Sequence, residues 1–194
     1  MLYLIIILAC SAIIILANCA PAFTPALLLD NTLAVAVGVA AVIAIDGIEA
    51  LVIRRLMPKR LFSPDAILFR VSKAEHRFYN LFAIKQWKDK VPQLGLFTGF
   101  DKGRIKSMSE KEYLTRFLLE ANYGVAIHLA NAILGFLIFF IPLCSSPSVW
   151  IPIFAVNLVL SLMPFAILRY NTYILYRLYK RSQKHHASTQ KPPL

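Results

Sequence analysis

No lysine or arginine occurs before Arg54, and none occurs between Arg116 and Arg169. These two cation-free stretches are almost wholly apolar, and each is long enough to hold a pair of membrane spans, since one span needs roughly 20 mostly apolar residues. Only 16% of the 194 residues are charged and 58% are hydrophobic. A soluble domain carries about 25% charged residues, so lipid must cover the surface that charge does not. The chain reads as a single all-α membrane domain over 1–194. About four transmembrane helices are expected, at 2–20, 27–53, 118–142 and 149–168, together with amphipathic cytosolic interfacial helices.

Punctuation supports this division. Pro21 and Pro25 separate the first two runs, because proline cannot continue a helix and biases its predecessor toward extended backbone. Pro142 and the Cys144–Pro147 turn separate the last two. No basic n-region precedes Leu2, so residues 2–20 read as a retained helix and not as a cleaved signal. The short connections at 21–26 and 143–148 lack Lys and Arg, whereas the segment 54–117 and the tail 169–194 are basic. The positive-inside rule places both basic segments, and with them both termini, in the cytoplasm. The expected setting is the inner membrane of a bacterial cell.

The formal charge of +11 is a partner signal. In a soluble chain it would point to nucleic acid. Here the cations flank apolar helices, so anionic lipid headgroups are the expected partner and nucleic acid is not. The three cysteines, Cys10, Cys19 and Cys144, lack metal-ligand spacing and read as small apolar residues; no metal site is expected. Gly-rich phosphate loops, nucleophile elbows and zinc helices are all missing from the sequence.

Within the cytosolic segment, Ser72 to Trp87 reads as an amphipathic helix, with Phe78, Leu81, Phe82 and Lys85 recurring at three and four. Gly95, Gly99 and Gly103 mark a loop. Ser109 and Glu112 have capping-box spacing ahead of the third span. Pro164 is expected to kink the fourth span, and residues 172–184 read as a basic interfacial helix.

Chemistry must then come from polar residues at membrane depth or at its edge. His128 lies inside the third span, ~12 Å along the axis and ~80° around it from Glu120. Gly124 lies between them and leaves room for a close approach. A neutral imidazole there suits a general base acting on a hydroxyl, with Glu120 orienting it. The structural alternatives are a helix-to-helix hydrogen bond from His128 to Asn131 or Asn157, and a Glu120–Arg116 pair at i−4. Lys85, Trp87, Lys88 and Lys90 crowd cations around an interfacial indole, fit to hold a phosphate or a lipid headgroup. The alternative is a solvated membrane-surface anchor, and Arg169 has the same two readings. Asp46 and Glu49 are acids near the end of a span, either functional or paired at the interface with Arg54 and Arg55.

Taken in order, Phe78-Tyr79, Ile84-Lys85-Gln86-Trp87-Lys88-Asp89-Lys90, Asp101-Lys102, Glu120, His128, Pro164 and Arg169-Tyr170-Asn171 resemble the glycosyl-4,4'-diaponeurosporenoate acyltransferase family over about residues 76–178. The resemblance implies transfer of a fatty acyl group from acyl-CoA, as co-substrate, to a sugar hydroxyl of a glycosylated carotenoid or another glycolipid. It implies catalytic roles for His128 and Glu120. It implies that Lys85, Trp87, Lys88, Lys90, Arg169 and Asn171 hold the donor. Two departures bear on the acceptor: Val125 stands where the family carries a second acid, and Thr172-Tyr173-Ile174-Leu175 replaces the family's continuation after R-Y-N. The competing classes are a non-enzymatic lipid-binding or scaffolding protein and a small membrane methyltransferase.

Overall fold

A computed structural model describes residues 2–91 and 111–189. The chain is all-α, with no strand among the described residues. Helix α1 spans Leu2–Cys19 and α2 spans Pro25–Arg55. Two 3-10 turns follow, Lys59–Phe62 and Ile67–Phe69. Helix α3 covers Lys73–Leu81 and α4 Ile84–Trp87, the latter continued by a 3-10 turn at Lys88–Lys90. Helix α5 spans Lys111–Leu134 and tightens into a 3-10 stretch, Gly135–Phe140. A turn at Pro142–Cys144 leads into α6, Pro147–Thr189.

Among the described residues, three helices are long and apolar enough to cross a membrane: Pro25–Arg55, Lys111–Phe140 and Pro147–Lys184. Helix α1 is as apolar but shorter. The fourth span and the separate interfacial helix expected at 172–184 are one element, since α6 runs unbroken through Pro152 and Pro164. A proline removes one backbone donor and crowds the preceding turn, but the apolar pattern continues past it and the helix continues with it. The glycine loop, Asp101-Lys102 and the Ser109 cap lie outside the described residues.

The chain divides into two compact units. The first comprises Met1–Arg55 and Ile127–Met163. Its core is aliphatic: Ile14, Ala34, Val35, Val42, Ile138, Val149 and Ile153 pack together. Gly38 packs closely there: a Cβ would lie 2.8 Å from Ile153 Cδ1 and 3.4 Å from Cys144 Sγ. The cysteines are free, and the buried Cys144 thiol donates to Ala34 O at 3.3 Å. Leu4, Ile5, Leu8, Ile13, Ile43, Ile48 and Leu51 are all more than half exposed, an arrangement that only lipid makes favourable.

A polar chain crosses this apolar unit. Ser161 Oγ donates to Asn157 Oδ1 at 3.5 Å, and Asn157 Nδ2 donates to Asn131 O at 2.9 Å. The Asn131 amide nitrogen donates to Glu49 Oε2 at 2.8 Å and to Ile127 O at 2.9 Å. The sequence leaves Glu49 either functional or paired with Arg54 and Arg55; in the fold it is buried, and Asn131 donates to its Oε2.

The second unit comprises Leu56–Ala126 and Pro164–Leu194. Leu114, Phe117 and Leu118 of α5 pack on Leu175 and Tyr179 of α6. Phe62 stacks on Tyr123 and contacts Phe69, and Asn122 Nδ2 ties the first turn down through Phe62 O at 3.0 Å and Ser63 O at 3.3 Å. Lys180 Nζ meets Asp65 Oδ1 at 2.7 Å.

Candidate functional site

The polar centre of the second unit lies where α3 meets α6. Helix α3 starts because Ser72 caps it, its hydroxyl accepting from Glu75 N at 3.0 Å. It stops because Ala83 adopts a left-handed conformation, φ 51°, which an L-residue enters at a cost of about 1–2 kcal/mol. The expected single helix from Ser72 to Trp87 is thus two, α3 and α4, with the chain redirected between them. The outer stripe of α3, Phe78 with Leu81 and the following Phe82, is exposed, as an interfacial helix requires. The opposite stripe carries Glu75, His76 and Tyr79 at i, i+1 and i+4. Arg169, Tyr170 and Tyr173 have the same spacing on α6.

The two stripes interlock. Arg169 Nε donates to Glu75 Oε1 at 2.7 Å and Arg169 Nη2 to Glu75 Oε2 at 2.8 Å, while Nη1 donates to Phe69 O at 3.1 Å. The His76 ring sits between Tyr170 and Tyr173, with centroids 4.7 and 4.3 Å away. Tyr79 is buried with Ile84, Ile167 and Tyr170. Burial, and then the Glu75 carboxylate, push the Tyr79 phenol above its usual range. Burial, and then the Arg177 charge, hold the His76 imidazole below its usual range, so it is neutral near pH 7.

Of the residues singled out in the sequence, Lys88, Arg169 and Asn171 come together here. Lys88 Nζ donates to Asn171 Oδ1 at 3.2 Å and lies 5.9 Å over the Tyr170 ring. Trp87, half-buried, donates through Nε1 to Phe82 O at 2.9 Å; it packs against the cluster of Tyr79, Ile84 and Tyr170. Lys85 is exposed, and Lys90 lies in the turn that follows. The Arg169 guanidinium is occupied by Glu75 and Phe69 O, so an incoming phosphate would have to compete with a carboxylate for it. Among the described residues Lys88 meets a neutral amide and an aromatic face and no carboxylate.

His128 and Glu120 both lie on α5 and both are half-buried, Glu120 in the second unit and His128 in the first. Val125, at the position of the family's second acid, is buried. Gly124 does admit a close neighbour: a Cβ there would lie 2.7 Å from Leu168 Cδ1. No group of three or more potential metal ligands occurs among the described residues.

Glu75 and His76 escaped notice in the sequence. Their signal was present: Ser72 and Glu75 have capping-box spacing, and an i, i+3 tyrosine pair at 170 and 173 offers a slot for a flat ring.

The glycosyl-4,4'-diaponeurosporenoate acyltransferase family model matches residues 58–181. The chain belongs to this family. No curated protein and no solved structure matches it. As a member of the glycosyl-4,4'-diaponeurosporenoate acyltransferase family it is an acyltransferase, and its apolar helices make it a membrane protein. The matched segment contains the whole α3–α6 cluster as well as Glu120 and His128.

Proposed function

We propose that this enzyme transfers a fatty acyl group from acyl-CoA to a sugar hydroxyl of a glycosylated carotenoid or related glycolipid at the cytoplasmic face of a bacterial inner membrane. The observation that carries this reading is the family match over 58–181. The basic residues around α3, α4 and the end of α6 support an anionic, water-borne donor arriving from the cytoplasm. The lipid-covered helices suit an acceptor and an acyl tail that never leave the membrane.

In this reading the sugar oxygen attacks the thioester carbonyl carbon and forms the ester C–O bond. The C–S bond breaks, and sulfur leaves with its electron pair. His128 takes the hydroxyl proton during attack and returns it to the thiolate, so the products are ester and free coenzyme A. Glu120 orients or polarises the imidazole. Lys85, Lys88 and Lys90 hold the donor's phosphates, Trp87 and Asn171 shape their surroundings, and Arg169 supports them through its ties to Glu75. General-base help of this kind is worth about 10²–10⁴-fold.

The test is a transfer assay on the purified protein in lipid nanodiscs, with radiolabelled acyl-CoA and a panel of glucosylated lipids. Acylated glycolipid made by wild type and lost in His128→Ala supports the reading. Full turnover in His128→Ala removes the base assignment. No product from any acceptor removes the substrate assignment.

A further inference from the structure

The loop that joins α2 to α3 turns its most apolar residues outward. Ile67 and Leu68 are 80% and 81% exposed, and nothing among the described residues covers them. The loop that carries them is firmly built. Phe62 and Phe69 are buried and their rings meet, with centroids 5.6 Å apart. Asn122 holds the backbone at Phe62 and Ser63, and Arg169 holds it at Phe69. Between these points Ala66 N donates to Ser63 O at 3.0 Å, Phe69 N to Ala66 O at 3.2 Å, and Arg70 Nη2 to Asp65 O at 3.0 Å. A loop pinned at both ends and bonded within keeps the two side chains at its tip, in a place where water is a poor solvent for them.

The charges beside the tip say what covers it. Lys59, Arg60, Lys73 and Arg77 flank it in sequence and are exposed. The two acids of the same stretch, Asp65 and Glu75, are paired with Lys180 and Arg169 of α6. The surface around the tip is therefore cationic. A protein partner is a poor fit, because the centres of protein interfaces are depleted in charge and in lysine. An apolar tip ringed by Lys and Arg is complementary to an anionic bilayer, whose headgroups meet the cations while the acyl layer takes the apolar side chains. The chain brings the loop to that surface, since Leu56 follows directly on Arg55, the last residue of the span α2.

We propose that Ile67 and Leu68 form a non-spanning anchor, a rigid loop tip seated in the acyl layer beneath anionic headgroups at the membrane face where α2 ends. This contact is additional to the spans and to the outer stripe of α3. It holds whichever donor and acceptor the enzyme uses.

The experiment uses the full chain in nanodiscs. Leu68 is replaced by the photo-crosslinking residue p-benzoylphenylalanine, which the exposure of this position tolerates. One set of discs holds equal parts of phosphatidylcholine and phosphatidylglycerol, the other phosphatidylcholine alone. After irradiation, mass spectrometry identifies what the probe has joined and at which carbon. The expected product is an adduct on a lipid acyl chain. Its yield is expected to fall at least about 5-fold in discs without the anionic lipid, the scale of one cation's attraction to such a surface. Ile67→Ser in the same protein is expected to lower the yield further. Adducts on headgroups alone place the tip above the acyl layer and overturn the inference. Adducts on residues 92–110 of the same chain, or on a second copy, show that protein covers the tip and also overturn it. An acyl adduct formed equally in both kinds of disc overturns the choice of an anionic surface.

Discussion

Arg169 on α6 and Glu75 on α3 are 94 residues apart in sequence and form a two-point ion pair, at 2.7 and 2.8 Å. The planar guanidinium matches the carboxylate geometry, and a third N–H reaches Phe69 O. The pair is shielded, with side-chain exposures of 11% for Arg169 and 28% for Glu75. Removing one partner leaves an uncompensated charge in a poorly solvated place, which costs about 3 kcal/mol. Glu75→Ala is therefore expected to lower the thermal midpoint in detergent by several degrees. Glu75→Leu combined with Arg169→Met is expected to recover most of the loss, because two apolar chains of similar volume leave no charge stranded. If the double variant is no more stable than Glu75→Ala alone, stranded charge is not the cause.

Gly124 gives a prediction about helix contact. A Cβ at this position would lie 2.7 Å from Leu168 Cδ1, and the next two nearest atoms, at 3.9 Å, also belong to Leu168. The obstacle is one methyl group at the end of a flexible chain. Gly124→Ala is thus expected to cost at most about 1 kcal/mol after Leu168 shifts, whereas Gly124→Val is expected to cost about 1–3 kcal/mol. Leu168→Ala should relieve the valine variant more than it harms the wild type, a coupling that a double-mutant cycle measures directly.

Much of the fold was legible in the sequence because the constraint that shapes it is one-dimensional. A span excludes charge, so the gaps between Lys and Arg mark the helices without knowledge of packing. The continuation of α6 through Pro164 was not legible. Proline's local penalty is visible in sequence, but the contacts of Leu175 and Tyr179 with Leu114 and Leu118, which sustain the helix beyond it, are not. The site divides in the same way. Lys88, Arg169 and Asn171 were singled out, and they do lie together. Glu75 was invisible as a partner because Arg169 lies 94 residues away in sequence and only the packing of α3 on α6 brings them together. For Glu49 the sequence offered a functional role or the neighbours Arg54 and Arg55, and nothing in it points to the contact with Asn131 on another helix.

The Asp65–Lys180 contact sets an acid limit on the second unit. The hydrogen bond from Lys180 is the largest influence on Asp65 and holds its carboxyl below the usual range. A carboxylate whose folded pKa is depressed stabilises the fold above its unfolded pKa, about 3.9. That contribution is lost as pH falls through the lower folded value. Both side chains are more than 40% exposed, so the contribution is at most about 1 kcal/mol. Asp65→Asn is expected to be slightly less stable than wild type at pH 7, with the difference closing below about pH 4. A gap that stays constant to pH 3 would assign it to packing and not to charge.

The buried chain Glu49–Asn131–Asn157–Ser161 yields the sharpest stability prediction for the first unit. Glu49 is 7% exposed, and Asn131 donates to its Oε2 at 2.8 Å. An acid among apolar helices is costly unless paired, and Asn131 supplies a donor to one of its two oxygens while its own backbone carbonyl accepts from Asn157. Asn131→Leu removes the amide donor and leaves the carboxyl facing a methyl group. The expected loss is about 1–3 kcal/mol, the cost of stranding a buried polar group. Glu49→Gln is expected to be much milder, since a glutamine oxygen still accepts from Asn131. Glu49→Leu combined with Asn131→Leu removes both polar ends and should approach wild-type stability, whereas each single leucine variant should not. Thermal unfolding in one detergent at fixed lipid content separates these cases. If Glu49→Leu alone proves neutral or stabilising, the Asn131 amide does not depend on the carboxylate, and the contact is an accommodation of the acid instead of a support for the fold.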